Sequence, residues 1–130
     1  MLISNSVFDT VNSAFISSIL ASKPHFIVEL EDQEYPGLET TIECAVVVGG
    51  IPEPSLEWYY SDSGDDDYKR LDVNDSKICK VRNEGEGKYV LELFNSQNGY
   101  VKCVATNSEG SDECKAELVW VEKGKKIRFF

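Results

Sequence analysis

The chain has 130 residues, 42% of them hydrophobic, which is enough for one domain with a real core and too apolar for wholesale disorder. Its net charge of −10 is unevenly spread: residues 1–23 are neutral overall and residues 123–130 carry +4, so residues 24–122 hold −14. A body that acidic argues against nucleic acid as the partner, because phosphate binding needs a basic face.

Residues 1–23 form a leader, either a short helix or disordered chain. It has no positively charged start, and Asn5, Asp9 and Asn12 interrupt its apolar runs. It therefore reads neither as a transmembrane span nor as a well-formed signal peptide. Ile3, Val7, Val11, Phe15 and Ile19 recur every four residues, so a helix through them would have one apolar face. After residue 23 a two-residue alternation takes over and holds to residue 122. HFIVEL (25–30) predicts a first strand, entered through Pro24, and Pro36-Gly37 predicts a turn. LETTIECAVVV (38–48) alternates, with Leu38, Thr40, Ile42, Cys44, Val46 and Val48 on one face. GGIPEP breaks the run, and SLEWYY (55–60) resumes it with Leu56, Trp58 and Tyr60 on one face. SDSGDDD (61–67) is a polar loop. Short strands are expected in 68–73 and 76–82, a turn at 83–87, and a strand at 88–94. Residues 100–106 and 111–122 flank Asn-Ser-Glu-Gly, a hairpin signal. The chain from 24 to 122 is thus all-β, an antiparallel sandwich or small barrel. The basic residues 123–130 are a tail or the start of a linker.

Cys44 and Cys103 sit mid-strand with Trp58 fourteen residues after the first. Two cysteines on facing strands with a buried Trp against them mark the core of an immunoglobulin sandwich. The proline corner suits that fold: Pro52 and Pro54 fix φ and remove two N–H donors, so neither sheet can continue through them and the chain crosses over. Pro24-x-Phe26, Leu30, Asp32, Gly37, Ile42-x-Cys44, Gly50-x-Pro52-x-Pro54-x-Leu56-x-Trp58, Tyr89-x-Leu91-x-Leu93, Cys103-Val-Ala-Thr-Asn-Ser-x-Gly110 and Cys114-x-Ala116-x-Leu118 together resemble an I-set immunoglobulin domain. The last strands look most like the I-set domains of giant muscle proteins such as titin, twitchin and those accompanying myosin light chain kinase. That resemblance implies a structural core of Cys44, Trp58, Leu91, Cys103 and Leu118, with Cys44 and Cys103 as the disulfide pair if one forms. Cys114 shares parity with Ala116 and Leu118, and resemblance to titin domains with a cysteine trio makes it the redox alternative for Cys103. The family's tyrosine two residues before the second cysteine is missing: Val101 stands there and Tyr100 is one place off. The corner is therefore either rebuilt around Tyr100 or absent.

No constellation for catalysis is visible. His25 is the single histidine, the cysteines lack metal-ligand spacing, and no glycine-rich phosphate cradle occurs. Asp62, Asp65, Asp66 and Asp67 lack the glycine and glutamate of a calcium loop and read as a solvated charged loop. No enzyme activity and no cofactor are expected. In such a fold Cys79 falls on an edge strand of one sheet and Cys114 on the last strand of the other, too far apart to bridge, and two thiols left over favour an intracellular compartment. The expectation is a structural, protein-binding module of a cytoplasmic sarcomeric or cytoskeletal protein, with neighbouring immunoglobulin or fibronectin-type domains and cytoskeletal proteins as partners. The acidic loop 61–67 and the tail 123–130 are the expected contact sites. An extracellular adhesion or receptor module is the alternative, favoured by the glycosylation sequon at Asn74-Asp75-Ser76. A kinase appendage is a further alternative implied by the resemblance.

Overall fold

The alternation in the sequence is realised as two packed sheets. The computed structural model describes residues 20–36, 41–74, 77–94, 98–122 and 125–127. The strands are β1 (Ser22–Val28), β2 (Gln33–Pro36), β3 (Thr41–Ile51), β4 (Ser55–Ser61), β5 (Lys69–Arg70), β6 (Cys79–Gly85), β7 (Lys88–Phe94), β8 (Gly99–Asn107), β9 (Gly110–Glu122) and β10 (Lys125–Ile127). One sheet has the order β1-β3-β7-β6, and the other runs β10-β9-β8-β4-β5 with β2 also paired to β9. On β3, Ile42, Cys44, Val46 and Val48 are buried while Glu43 and Ala45 face water. On β8 and β9 the same parity buries Val101, Cys103 and Ala105, then Cys114, Ala116 and Leu118. These rows meet between the sheets in one cluster around Trp58 and Leu91. The chain is therefore an all-β immunoglobulin-like sandwich.

The proline corner does what its chemistry requires. β3 ends at Ile51, the Ile51–Pro52 peptide is cis, and Pro54 is buried beside the start of β4. β3 belongs to one sheet and β4 to the other, so residues 52–54 carry the chain across.

Several expected elements are corrected. The turn at Pro36-Gly37 is preceded by β2, which lies parallel to β9 with Gln33 opposite Leu118 and Pro36 opposite Val121. Pro36 ends this strand, consistent with its missing donor; Gly37 and the expected strand start at 38–40 lie outside the described residues. The strand expected over 68–73 contracts to Lys69–Arg70, because Asp72 begins a turn by accepting the Asn74 N–H at 3.0 Å. β6 runs on into the turn expected at 83–87, which tightens to Glu86-Gly87. Gly87 is essential there: at φ +81° its carbonyl accepts the Val48 N–H at 2.9 Å, and a Cβ would collide with the Val48 carbonyl oxygen. Beyond β9, Lys125–Ile127 turn back antiparallel to it, Lys125 opposite Glu122 and Ile127 opposite Trp120. β2 and β10 both pair with Trp120, so they must occupy opposite edges of β9.

Candidate functional site

All five expected core residues converge. Cys44, Trp58, Leu91, Cys103 and Leu118 are buried in one cluster. Registration places Cys44 opposite Leu91, and Trp58 opposite Cys103. Cys103 lies directly opposite Cys114 on β9. All four cysteines are buried free thiols. Burial pushes the Cys44 thiol up to about 12, and it raises Cys103 and Cys114 as well. Neutral thiols are weak nucleophiles and weak metal ligands, so these groups act as small apolar side chains near neutral pH. Cys114 Sγ also accepts the Leu30 N–H at 3.5 Å. Cys79 lies on the edge strand β6 and its thiol donates to Asp72 O at 3.4 Å.

The missing tyrosine is explained by its neighbours. Val101 fills the core, while the Tyr100 hydroxyl donates across to Glu117 Oε2 at 3.1 Å. A hydroxyl-to-carbonyl bond is nevertheless made at the start of β8, from the adjacent strand: Tyr60 Oη donates to Asn98 O at 2.9 Å. Gly99 makes room for it, since a Cβ there would collide with the Tyr60 hydroxyl.

Sequence reasoning missed the residues that tie the sheets' ends together. Asn107 Nδ2 donates to Ser22 O at 2.8 Å and to Pro52 O at 2.9 Å. Its Oδ1 accepts the Glu109 N–H at 2.8 Å. One side chain thus holds the start of β1, the proline corner and the β8–β9 turn. Asp32 Oδ1 accepts the Glu117 N–H, and Asp112 Oδ2 accepts the Phe26 N–H, so the segment that switches sheets is fastened to β9 from both sides. Asn107 and Asp32 both sit inside the matched family motifs, which was the available signal.

The acidic loop is organised by serines. Ser61 is buried, accepts the N–H groups of Ser63 and Gly64, and donates to Asp67 Oδ1, where Ser63 Oγ joins it at 2.8 Å. These two hydroxyls hold the Asp67 carboxyl below the usual carboxylate range. Among the described residues no three His, Cys, Asp or Glu side chains are grouped to hold a metal ion. Asn74 is exposed in the turn after β5, and His25 is exposed on β1.

Two outer faces carry polar networks. On the first sheet, Arg82 reaches Glu43 and Glu92 at 2.8 Å and Glu84 at 3.1 Å, binding β3, β6 and β7. These bonds raise the guanidinium's affinity for its proton, and Arg82 and Lys88 together lower the Glu84 carboxyl. On the second sheet, Tyr59, Lys102 and Lys115 stand in register. Lys102 Nζ lies 4.9 Å from the Tyr59 ring centre and 4.6 Å from that of Tyr68, with Lys115 Nζ 5.5 Å from Tyr68. This row sets two cations against two aromatic rings on the outer side of the second sheet. It stands out within a strongly acidic body. No helix among the described residues is long and apolar enough to cross a membrane.

Comparison with known proteins agrees with this architecture. A family model described as the immunoglobulin I-set domain matches residues 24–120. The muscle M-line assembly protein unc-89 of Caenorhabditis elegans is 32% identical over 104 residues, which is 78% of this chain and 1% of that protein. Palladin of Mus musculus is 33% identical over 100 residues, 76% of this chain and 7% of that protein. The crystal structure of the titin M3 domain superposes with a TM-score of 0.62 at 27% identity, covering 75% of this chain and 96% of that one. The chain thus spans a small part of the curated relatives and nearly all of a single titin domain.

Proposed function

Since the chain belongs to the immunoglobulin I-set family, we propose that it acts as a non-enzymatic structural and protein-binding module of an intracellular sarcomeric or cytoskeletal protein. The observation that carries this reading is the 32% identity to a muscle M-line assembly protein over 104 residues. The thiol chemistry supports it. Four buried cysteines, with thiol affinities for protons raised at the centre, suit a reducing compartment, where the module needs no bridge. The module's work is to hold a fixed spacing and to offer its faces to neighbouring immunoglobulin or fibronectin-type domains and cytoskeletal proteins. The Tyr59, Tyr68, Lys102 and Lys115 row is the surface assigned to such contacts in this reading.

An extracellular adhesion module is the second reading, favoured by exposed Asn74 at the head of its sequon. Antibody localisation of the endogenous protein in its source tissue, with a blot for full size, separates the two. Striated or filamentous intracellular staining at high mass is the expected result. Secretion with a mass shift on deglycosylation would overturn it.

A further inference from the structure

Among the described residues the exposed large hydrophobics are Leu20, Ile27, Val28, Ile51 and Ile78, and all but Ile78 gather along β1, its approach and the end of β3. A local mismatch puts two of them side by side. Between Phe26 and Val28, β1 has one residue more than β3: Phe26 pairs with Val48, but Val28 pairs with Val47. The bulge leaves Ile27 at 63% and Val28 at 44% exposure. On β3 the positions that alternate with buried Val46 and Val48 are Ala45, Val47 and Gly49, and Ile51 follows at 37% exposure. Gly49 makes a low floor: a Cβ there would stand 2.7 Å from the His25 ring and 3.4 Å from Ile27 Cδ1, so both side chains lie over the outer face. Single exposed hydrophobics are ordinary, but a row along two paired strands marks a contact surface.

Two features of this strip say what covers it. The first is a closed edge. β1 is the outermost strand of its sheet, yet Pro24 has no N–H and the Phe26 N–H is already given to Asp112 Oδ2 at 3.2 Å. An occupant therefore lies across the face, as a helix packs on a sheet, rather than extending the edge. The second is charge. Glu29 and Glu31 follow Val28, Glu43 precedes Ala45 on the same side of β3, and Glu53 follows Ile51, all of them exposed. Glu29 and Glu31 make no ion pair among the described residues. Lys88, opposite Val47, is held by Glu84 at 3.3 Å, and the Lys23 stem lies beside Gly110 at the start of β9. The strip is thus apolar along its length and acidic at its ends. A second copy would bring the same acids to it and be repelled.

We propose that the strip docks a basic amphipathic helix of a partner protein, with the helix's apolar stripe on Ile27, Val28, Val47 and Ile51 and its flanking lysines and arginines facing Glu29, Glu31, Glu43 and Glu53. This rests on the protein-binding part of the function proposed above and not on the compartment. The strip from Ala45 to Ile51 runs about 20 Å at about 3.3 Å per residue, so about 14 helical residues at about 1.5 Å each cover it. Such a helix sets apolar residues at i, i+3, i+4 and i+7 on the strip and keeps its charges at the margins.

The test titrates residues 1–130, with labelled methyls and amides, against a synthetic leucine–lysine helix of about 14 residues and against a scrambled peptide of the same composition that gathers no apolar face. The helical peptide should give saturable shifts at Ile27, Val28, Val47 and Ile51, while Leu91 and Leu118 in the core stay put. Ile27→Thr combined with Val47→Thr keeps the net charge and the strand propensity. It removes two apolar anchors and should weaken binding about tenfold or more. Ile78→Thr, beside the opposite edge strand β6, should leave binding unchanged. Equal affinity for the scrambled peptide, shifts centred on the Ser61–Asp67 loop, or undiminished binding by the double variant would reduce the contact to bulk acidity and overturn the proposal. So would an absence of binding, or strip resonances that move with protein concentration alone, which would make the occupant a second copy. None of these results alters the localisation outcome, so the docking site and the compartment fail separately.

Discussion

Replacing Asn107 tests whether a single amide closes one end of the sandwich. Asn107→Ala removes two donated bonds, to Ser22 O and Pro52 O, and one accepted bond from the Glu109 N–H. At about 0.5–1.5 kcal/mol net for each bond, and with the residue half-buried, the loss is about 1.5–3 kcal/mol. Asn107→Asp is the sharper change because it keeps the shape and the acceptor for Glu109. It turns the other atom into an oxygen facing two carbonyl oxygens, so at neutral pH it should cost at least as much as alanine. The sign with pH follows. The new carboxyl is better tolerated when protonated, so its folded pKa lies above its unfolded value of about 3.9. Its penalty is absent below the unfolded value and grows as pH rises through the folded one. Urea titration followed by tryptophan fluorescence should show both midpoints falling by about 1–2 M at neutral pH, for a slope of about 1–3 kcal/mol/M. The Asn107→Asp protein should regain part of the difference near pH 3. An Asn107→Asp protein more stable than its alanine counterpart at pH 7, or an alanine loss under about 0.5 kcal/mol, would refute the latch.

Trp58→Ala empties the centre of the core and should cost about 3–5 kcal/mol, near the whole stability of a small domain; an unfolding titration showing under about 1 kcal/mol sinks the core assignment. Gly99→Ala pushes a Cβ into the Tyr60 hydroxyl and the ring carbon that bears it and should destabilise by about 1–3 kcal/mol, and combining it with Tyr60→Leu, which removes both atoms, should recover part of that loss in a double-mutant cycle. Above pH 9 the unfolded chain ionises its thiols while buried Cys44 holds its proton to about 12. Its contribution is fully present below the unfolded pKa and is lost as pH rises toward the folded one, by up to about 4 kcal/mol at about 1.4 kcal/mol per unit. Thermal melts from pH 8 to 11 should slope downward, and less steeply in Cys44→Ala. At the acid end, Asp67 and Glu84 have lowered folded pKa values, so the stability they supply is present above their unfolded values and is lost as pH falls through the folded ones. Acid melts of Ser63→Ala should show a shallower fall than those of the parent chain.

What the sequence by itself determined is the sandwich and its centre. Alternation is a local property with a period of two, so Ile42, Cys44, Val46 and Val48 could be assigned to one face from spacing alone. Pro52 and Pro54 act through their own backbone, so the crossover was also legible. The Cys44, Trp58 and Cys103 spacing then placed both sheets around one tryptophan. The tertiary structure decided everything that depends on where distant segments land. Asn107 holds Ser22 and Pro52 from 85 and 55 positions away, and no local pattern marks an asparagine in a hairpin as a donor to either. β2 was hidden because four residues ending in proline read as a turn until β9 supplies the strand beside them. The bulge that exposes Ile27 together with Val28 is a mismatch between two strands, so neither strand's sequence contains it. Arg82 and its three glutamates meet only because β3, β7 and β6 lie side by side, which makes the network a consequence of strand order.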